Sequence, residues 1–269
     1  IKIAHALESN AYEERLDALE TLIQLSFHAK NIAMPLNTAR VQIALMKEAI
    51  KRKGNRRRQL EILSDFTIAS FGQGPVIRKM LRELNLVEVP EEGKALKDLD
   101  LGWDNHVHDS MSEGRKTPCQ VLLDAFVKGI SSVTLVYYDI TEPQIIKESL
   151  VAGKILGIEV RIGIEFSVGK SKQRRHYKYL PGMFATPEQF FKFFKDNSNL
   201  LDVFIDGLKK NAESRKVVID TIMKHFNDTH IVRLNQGYED LAHLCMKPVT
   251  LSDLKKHVSS GQYSRIHLV

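Results

Sequence analysis

Two histidines one residue apart are the first residues in this chain whose types and spacing could do chemistry. They lie in Trp103-Asp104-Asn105-His106-Val107-His108-Asp109-Ser110-Met111-Ser112-Glu113-Gly114. On an extended segment alternate side chains share a face, so His106 and His108 point the same way. Imidazoles so placed can chelate one cation or reach two adjacent ones. Leu99 and Leu101 before them read as the end of a short buried strand, and a helix start comes after them at Thr117-Pro118. The pair therefore sits where a strand gives way to a loop, a usual place for chemistry in α/β folds.

The elements around this segment divide near residue 95. Before it, apolar residues recur at helical spacing over Tyr12–His28 (Leu16, Leu19, Ile23, Phe27), Asn37–Lys51, Arg58–Ser70 and Val76–Leu84, with Pro35 and Gly72-Gln73-Gly74-Pro75 as interruptions. Pro90-Glu91-Glu92-Gly93 reads as a polar hinge. Residues 1–95 are thus expected to form a small helical domain or cap. After it, strands and helices alternate. Thr117-Pro118-Cys119-Gln120 is a capping box opening a helix that ends at Gly129. Val133–Tyr138 is a buried strand, Pro143–Leu156 a helix closed by Gly157, and Ile158–Phe166 the next strand. Further helices are expected over Phe190–Phe194, Ser214–His225 and Thr250–Val258. Such alternation implies parallel βα units.

Composition narrows the class. The chain has 269 residues, 43% of them hydrophobic, enough for a large core. No apolar run is long enough to span a membrane. Cys119 and Cys245 are the only cysteines, which excludes a disulfide framework or a cysteine zinc site and favours a reducing cytoplasm. A net charge of +6 with a pI near 9.2 permits an acidic ligand such as a phosphate ester without requiring nucleic acid. The densest cationic run is Lys51, Arg52, Lys53, Arg56, Arg57 and Arg58. It is read first as a solvated helical corner and second as a phosphate-backbone contact.

Asp104-Asn105-His106-Val107-His108, then Ser112-Glu113-Gly114 and Thr117-Pro118, resemble the first motif (D-x-H-x-H, S-D-G, T-P) of the PHP, or polymerase and histidinol phosphatase, family. Gly157-Ile158-Glu159-Val160-Arg161-Ile162-Gly163-Ile164-Glu165-Phe166-Ser167 is similar to its G-I-x-V-x-x-G-I-E-I-S strand, and Arg265-Ile266-His267 to its R-x-H turn. The resemblance covers residues 99–269 and implies an α/β fold: a distorted (β/α)7, TIM-like barrel domain over residues 96–269, preceded by the all-α part. It implies metal ligands at His106, His108, Glu113, Asp139, Glu165, His176 and His267, with zinc, manganese or iron as the cofactor. His106, His108 and Glu165 would carry catalysis, and Arg174, Arg175 or Arg265 would neutralise substrate phosphate. The implied activity is hydrolysis of a phosphate ester, on a phosphorylated small molecule or nucleotide.

The chain departs from the family at two places. Tyr137-Tyr138-Asp139 stands where the second motif reads D-H-D, and no G-x-D-x-H strand occurs before Val269. The barrel is therefore expected to be degenerate in one motif and incomplete at its C-terminal end. The alternative reading is a PHP scaffold without catalysis, acting as a binding or regulatory module with nucleic acid as one partner.

Overall fold

The structure is a computed structural model and describes residues 2–27, 33–52, 54–91, 102–169, 173–238, 240–241, 243–258 and 262–268. Its first half is helical: α1 (Lys2–Ala6), α2 (Tyr12–Phe27), α3 (Pro35–Lys51), α4 (Arg56–Ala69) and α5 (Gly74–Glu83). Pro35 takes the first turn of α3, where its missing N–H is no loss. This helix is buried on every side from Leu36 to Leu45. Val41, Leu45 and Ala49 pack on α4 and α5, while Ala39 and Ile43 face the α/β half.

The second half begins with β1 (Trp103–Val107), α6 (Pro118–Lys128), β2 (Ser132–Tyr137), α7 (Pro143–Leu156) and β3 (Glu159–Val168). α6 opens with the expected capping box and ends at Gly129, whose φ of 79° is the left-handed conformation glycine adopts freely. β1, β2 and β3 are parallel neighbours, as two βα units require. The strand ending expected at Leu99 and Leu101 lies outside the described residues. The strand that carries His106 and leads into His108 is β1, exposed along most of its length, with Trp103 projecting to solvent.

Among the described residues a closed (β/α)7 or TIM-like barrel is not formed. The sheet has four strands in the order β1-β2-β3-β4, and β4 (Arg175–Tyr179) runs antiparallel to β3. The reason is chain length between strands. Parallel strands need a crossover of a dozen or so residues, usually a helix. Only the short segment from Gly169 to Arg174 separates β3 from β4, so the chain turns back as a hairpin. Beyond β4 the described residues form helices: α8 (Pro187–Asp196), α9 (Ser198–Phe226), a π-helical turn, α10 (Val232–Asn235) and α11 (Leu251–His257). The helix expected over Ser214–His225 is the last part of α9, which is 29 residues long. The sheet is a small, curled, open half-barrel. Its curl is strong enough for Lys178 of β4 to donate to the Asn105 carbonyl on β1, across the two intervening strands.

The two faces of this sheet differ. Ile164, Phe166 and Tyr179 face helices, Phe204 of α9 meets the rings of Phe166 and Tyr179 edge-on, and the exposed Tyr177 stacks on Phe166. Glu165 pairs in register with Lys178, and Ser167 with His176, so these four share the polar concave face. One hydrophobic core joins both halves of the chain, with Leu19 and Leu22 of α2 and Ile43 of α3 in the same cluster as Leu122, Phe126, Leu135, Ile146 and Ile162. Arg15 of α2 and Glu148 of α7 add a buried two-pronged ion pair to that seam, at 2.8 and 2.5 Å.

Candidate metal centre

His106 comes from an irregular stretch of β1. Between Asp104 and Val107 the register with β2 slips, so β1 carries an extra residue there. Bulges of this kind re-aim side chains. The His106 N–H is held by the Asp104 carboxylate at 3.1 Å. His108 lies just past the end of β1, in the loop that leads to α6. Ser112 and Gly114 both donate to the Asp109 carbonyl, which folds this loop tightly. A Cβ at Gly114 would collide with the His108 carbonyl, so only glycine fits there.

Three donor atoms converge. His106 Nε2 lies 3.2 Å from His108 Nε2 and 3.2 Å from Glu165 Oε2, and His108 Nε2 lies 3.3 Å from the same oxygen. No other group of three or more histidine, cysteine or carboxylate side chains gathers this way among the described residues. Tetrahedral zinc, with bonds of about 2.0–2.1 Å, holds its donors about 3.3 Å apart. The triangle thus matches one face of such a coordination shell.

Hydrogen bonding prepares His108 for this role. The buried Ser112 hydroxyl donates to the Val136 carbonyl at 3.0 Å, so its lone pair accepts from His108 Nδ1–H at 2.9 Å. With Nδ1 protonated, Nε2 carries a bare lone pair directed at the triangle. Burial, and then the neighbouring His106, push the His108 pKa below its ordinary value, against the pull of Glu165. The imidazole is thereby favoured in its neutral, ligating form. A bare nitrogen and a carboxylate oxygen at 3.3 Å repel unless a cation or a shared proton lies between them.

The other expected ligands do not join the triangle. His176 lies on β4. Its Nδ1 is 3.4 Å from the second Glu165 oxygen and 3.1 Å from Ser167 Oγ, with the ring exposed. Glu113 accepts a hydrogen bond from the Tyr138 hydroxyl. Asp139 is tied by the backbone N–H of Ile140 at 2.7 Å. His267 accepts from the Ser264 N–H at 3.1 Å and lies beside Glu113 and Gly114, where burial lowers its pKa. Arg174, Arg175 and Arg265 are exposed.

Comparison with known proteins finds no match. No family model, curated protein or solved structure is similar to the chain. What is shown is an α/β half-barrel bearing a His-His-Glu cluster suited to a metal ion, and membership of the PHP family is not.

Several contacts of the site escaped sequence reasoning. The Tyr138 ring lies 5.4 Å from that of His108. Tyr137 donates to Asp109 at 2.5 Å, and burial lifts that carboxyl to about 7. Arg215 arrives from the distant α9 to lie over Tyr138. Ser112, four residues from His108, was within reach of local inspection; no local signal marks Arg215.

Along the cationic run, Lys51 pairs with Glu48, and Arg57 and Arg58 with Glu61. Lys53 lies outside the described residues. No helix is long and apolar enough to cross a membrane among the described residues.

Proposed function

We propose that the chain is a metal-dependent phosphoesterase whose ion is held by His106, His108 and Glu165. The observation that carries this reading is the near-equilateral donor triangle, with the His108 tautomer set by Ser112. Catalytic zinc sites offer three protein ligands and leave a position open, whereas structural sites are closed. Here the His106 side chain is 51% exposed, so the triangle faces solvent on one side. Bound there, a divalent ion supplies Lewis-acid chemistry: it acidifies water and draws charge from a phosphoryl oxygen. The chain's own residues do the rest. Glu165 provides the negative charge that compensates the cation. Ser112 holds the His108 ring in one orientation. His176, against the free Glu165 oxygen, is placed to carry a proton to or from solvent. Lys178 shares the concave face with Glu165 and Arg174 comes just before β4, and both favour an anionic ester, whereas Arg175, in register with Val168, alternates to the other face.

The test is titration of the chelator-stripped chain with zinc and with manganese, followed by turnover of an aryl phosphate. The parent is expected to bind an ion and hydrolyse the ester. His106→Ala, His108→Ala and Glu165→Ala should each lose at least about tenfold in metal affinity and the turnover with it. Variants that bind metal as tightly as the parent would overturn the assignment. A second reading is a binding or regulatory module, favoured by the commitment of Glu113 to Tyr138 and of Asp139 to its own backbone. It predicts metal binding without turnover.

A further inference from the structure

We infer that Arg215 is the anion anchor of this site, fixing a phosphoryl group or another tetrahedral oxyanion beside His106, His108 and Glu165. The inference rests on the metal-centre reading above and adds to it the residue that selects the ligand.

Arg215 lies in the second half of α9, which brings it to the carboxyl end of β2. Its guanidinium carbon sits 4.1 Å from the centroid of the Tyr138 ring, and Nη2 donates to the Tyr138 carbonyl at 3.3 Å. Tyr138 immediately succeeds β2, and its ring is the one that meets His108. A chain of direct contacts therefore runs from Arg215 through Tyr138 to the donor triangle. In α/β sheets ligands bind at the carboxyl ends of the parallel strands, and this is where Arg215 arrives.

The chemistry of its surroundings is what points to a ligand. A guanidinium has five N–H donors in a planar fork. The Tyr138 carbonyl takes one of them, and among the described residues no carboxylate forms an ion pair with Arg215. Partial burial meanwhile works against its charge. The nearest acidic groups are engaged elsewhere: Asp139 accepts from Ile140 N–H, and Glu165 faces three imidazoles. A partly desolvated cation, immobilised by a ring and a carbonyl but lacking a contacting counter-charge, is a preorganised receptor for a bidentate oxyanion. Arg174, Arg175 and Arg265 differ from it in kind. They are exposed, and among the described residues no ring or carbonyl contact fixes their guanidinium groups.

The experiment titrates orthophosphate into the full chain, chelator-stripped and zinc-loaded, by calorimetry. Parent, Arg215→Gln, Arg215→Lys and Arg233→Gln are compared, with zinc affinity and Tm measured for each. Arg215→Gln is expected to weaken phosphate binding about 10- to 100-fold, in line with loss of a charge-assisted bidentate pair, while zinc affinity and Tm stay at parent values. Arg215→Lys keeps the cation without the fork and should fall between; Arg233→Gln, at an exposed arginine of α10, should match the parent. Phosphate binding that is equal in parent and Arg215→Gln, or absent from both forms of the parent, overturns the proposal. Should Arg215→Gln fail to fold, parent-like phosphate affinity in Arg215→Lys overturns it instead. Zinc binding with Arg215-independent phosphate sinks the anchor and leaves the metal centre standing. Arg215-dependent phosphate binding in a chain that takes no metal does the reverse.

Discussion

Ser112 has no exposed surface and never touches the open side of the triangle, yet it governs what His108 can do. Its single proton goes to Val136, which obliges it to accept from Nδ1 and leaves Nε2 unprotonated. Removing such an orienting partner costs about 10- to 100-fold in metal affinity. Ser112→Ala should therefore weaken zinc binding by about that factor while the far-ultraviolet circular dichroism stays at the parent level. An unchanged zinc isotherm would show that the ring is held by packing alone. Tyr138 illustrates the opposite relation. It stands where a ligand would be in the family the motifs resemble, and it spends its hydroxyl on Glu113 instead.

At the level of elements, two devices place the triangle. The slipped register in β1 sets His106 against its neighbour two residues on, and the parallel pairing of β2 and β3 brings Glu165 to the same end of the sheet. The helices behind are held by the Arg15–Glu148 pair, whose side chains are 7% and 2% exposed. Breaking a buried pair by removing one partner strands the other charge and costs about 3–5 kcal/mol. Glu148→Ala should lose that much in urea unfolding. Arg15→Met combined with Glu148→Leu should recover most of it, because no charge is left without a partner. Additive losses in the double variant would mean that the two residues act separately.

Across the whole molecule, the helical half and the α/β half share a core, so the site inherits the stability of both. A ligand that binds only the folded chain at 100 times its Kd adds about 2.7 kcal/mol. For a chain of this size that corresponds to a rise in Tm of about 5–10 °C. Zinc should produce such a rise in the parent, EDTA should abolish it, and His106→Ala with His108→Ala should show neither effect. An equal rise in that double variant would place the stabilising ion elsewhere.

Much of this protein was written locally. Amphipathic spacing, the Thr117–Gln120 capping box and the glycines at 129 and 157 specify helices and their ends, because these depend on neighbours within a few residues. The same holds for His106 and His108, whose shared direction stems from strand alternation. Glu165 joined them only through the resemblance, and the fate of Glu113, Asp139, His176 and His267 depended on side chains far along the chain. Closure of the barrel was likewise beyond local signals. A hairpin and a crossover begin with the same kind of strand, and the short connection after β3 together with the run of α9 decided for an open sheet. Arg215 reaches Tyr138 only because a long helix passes the end of β2, a contact between residues 77 apart that no sequence window contains.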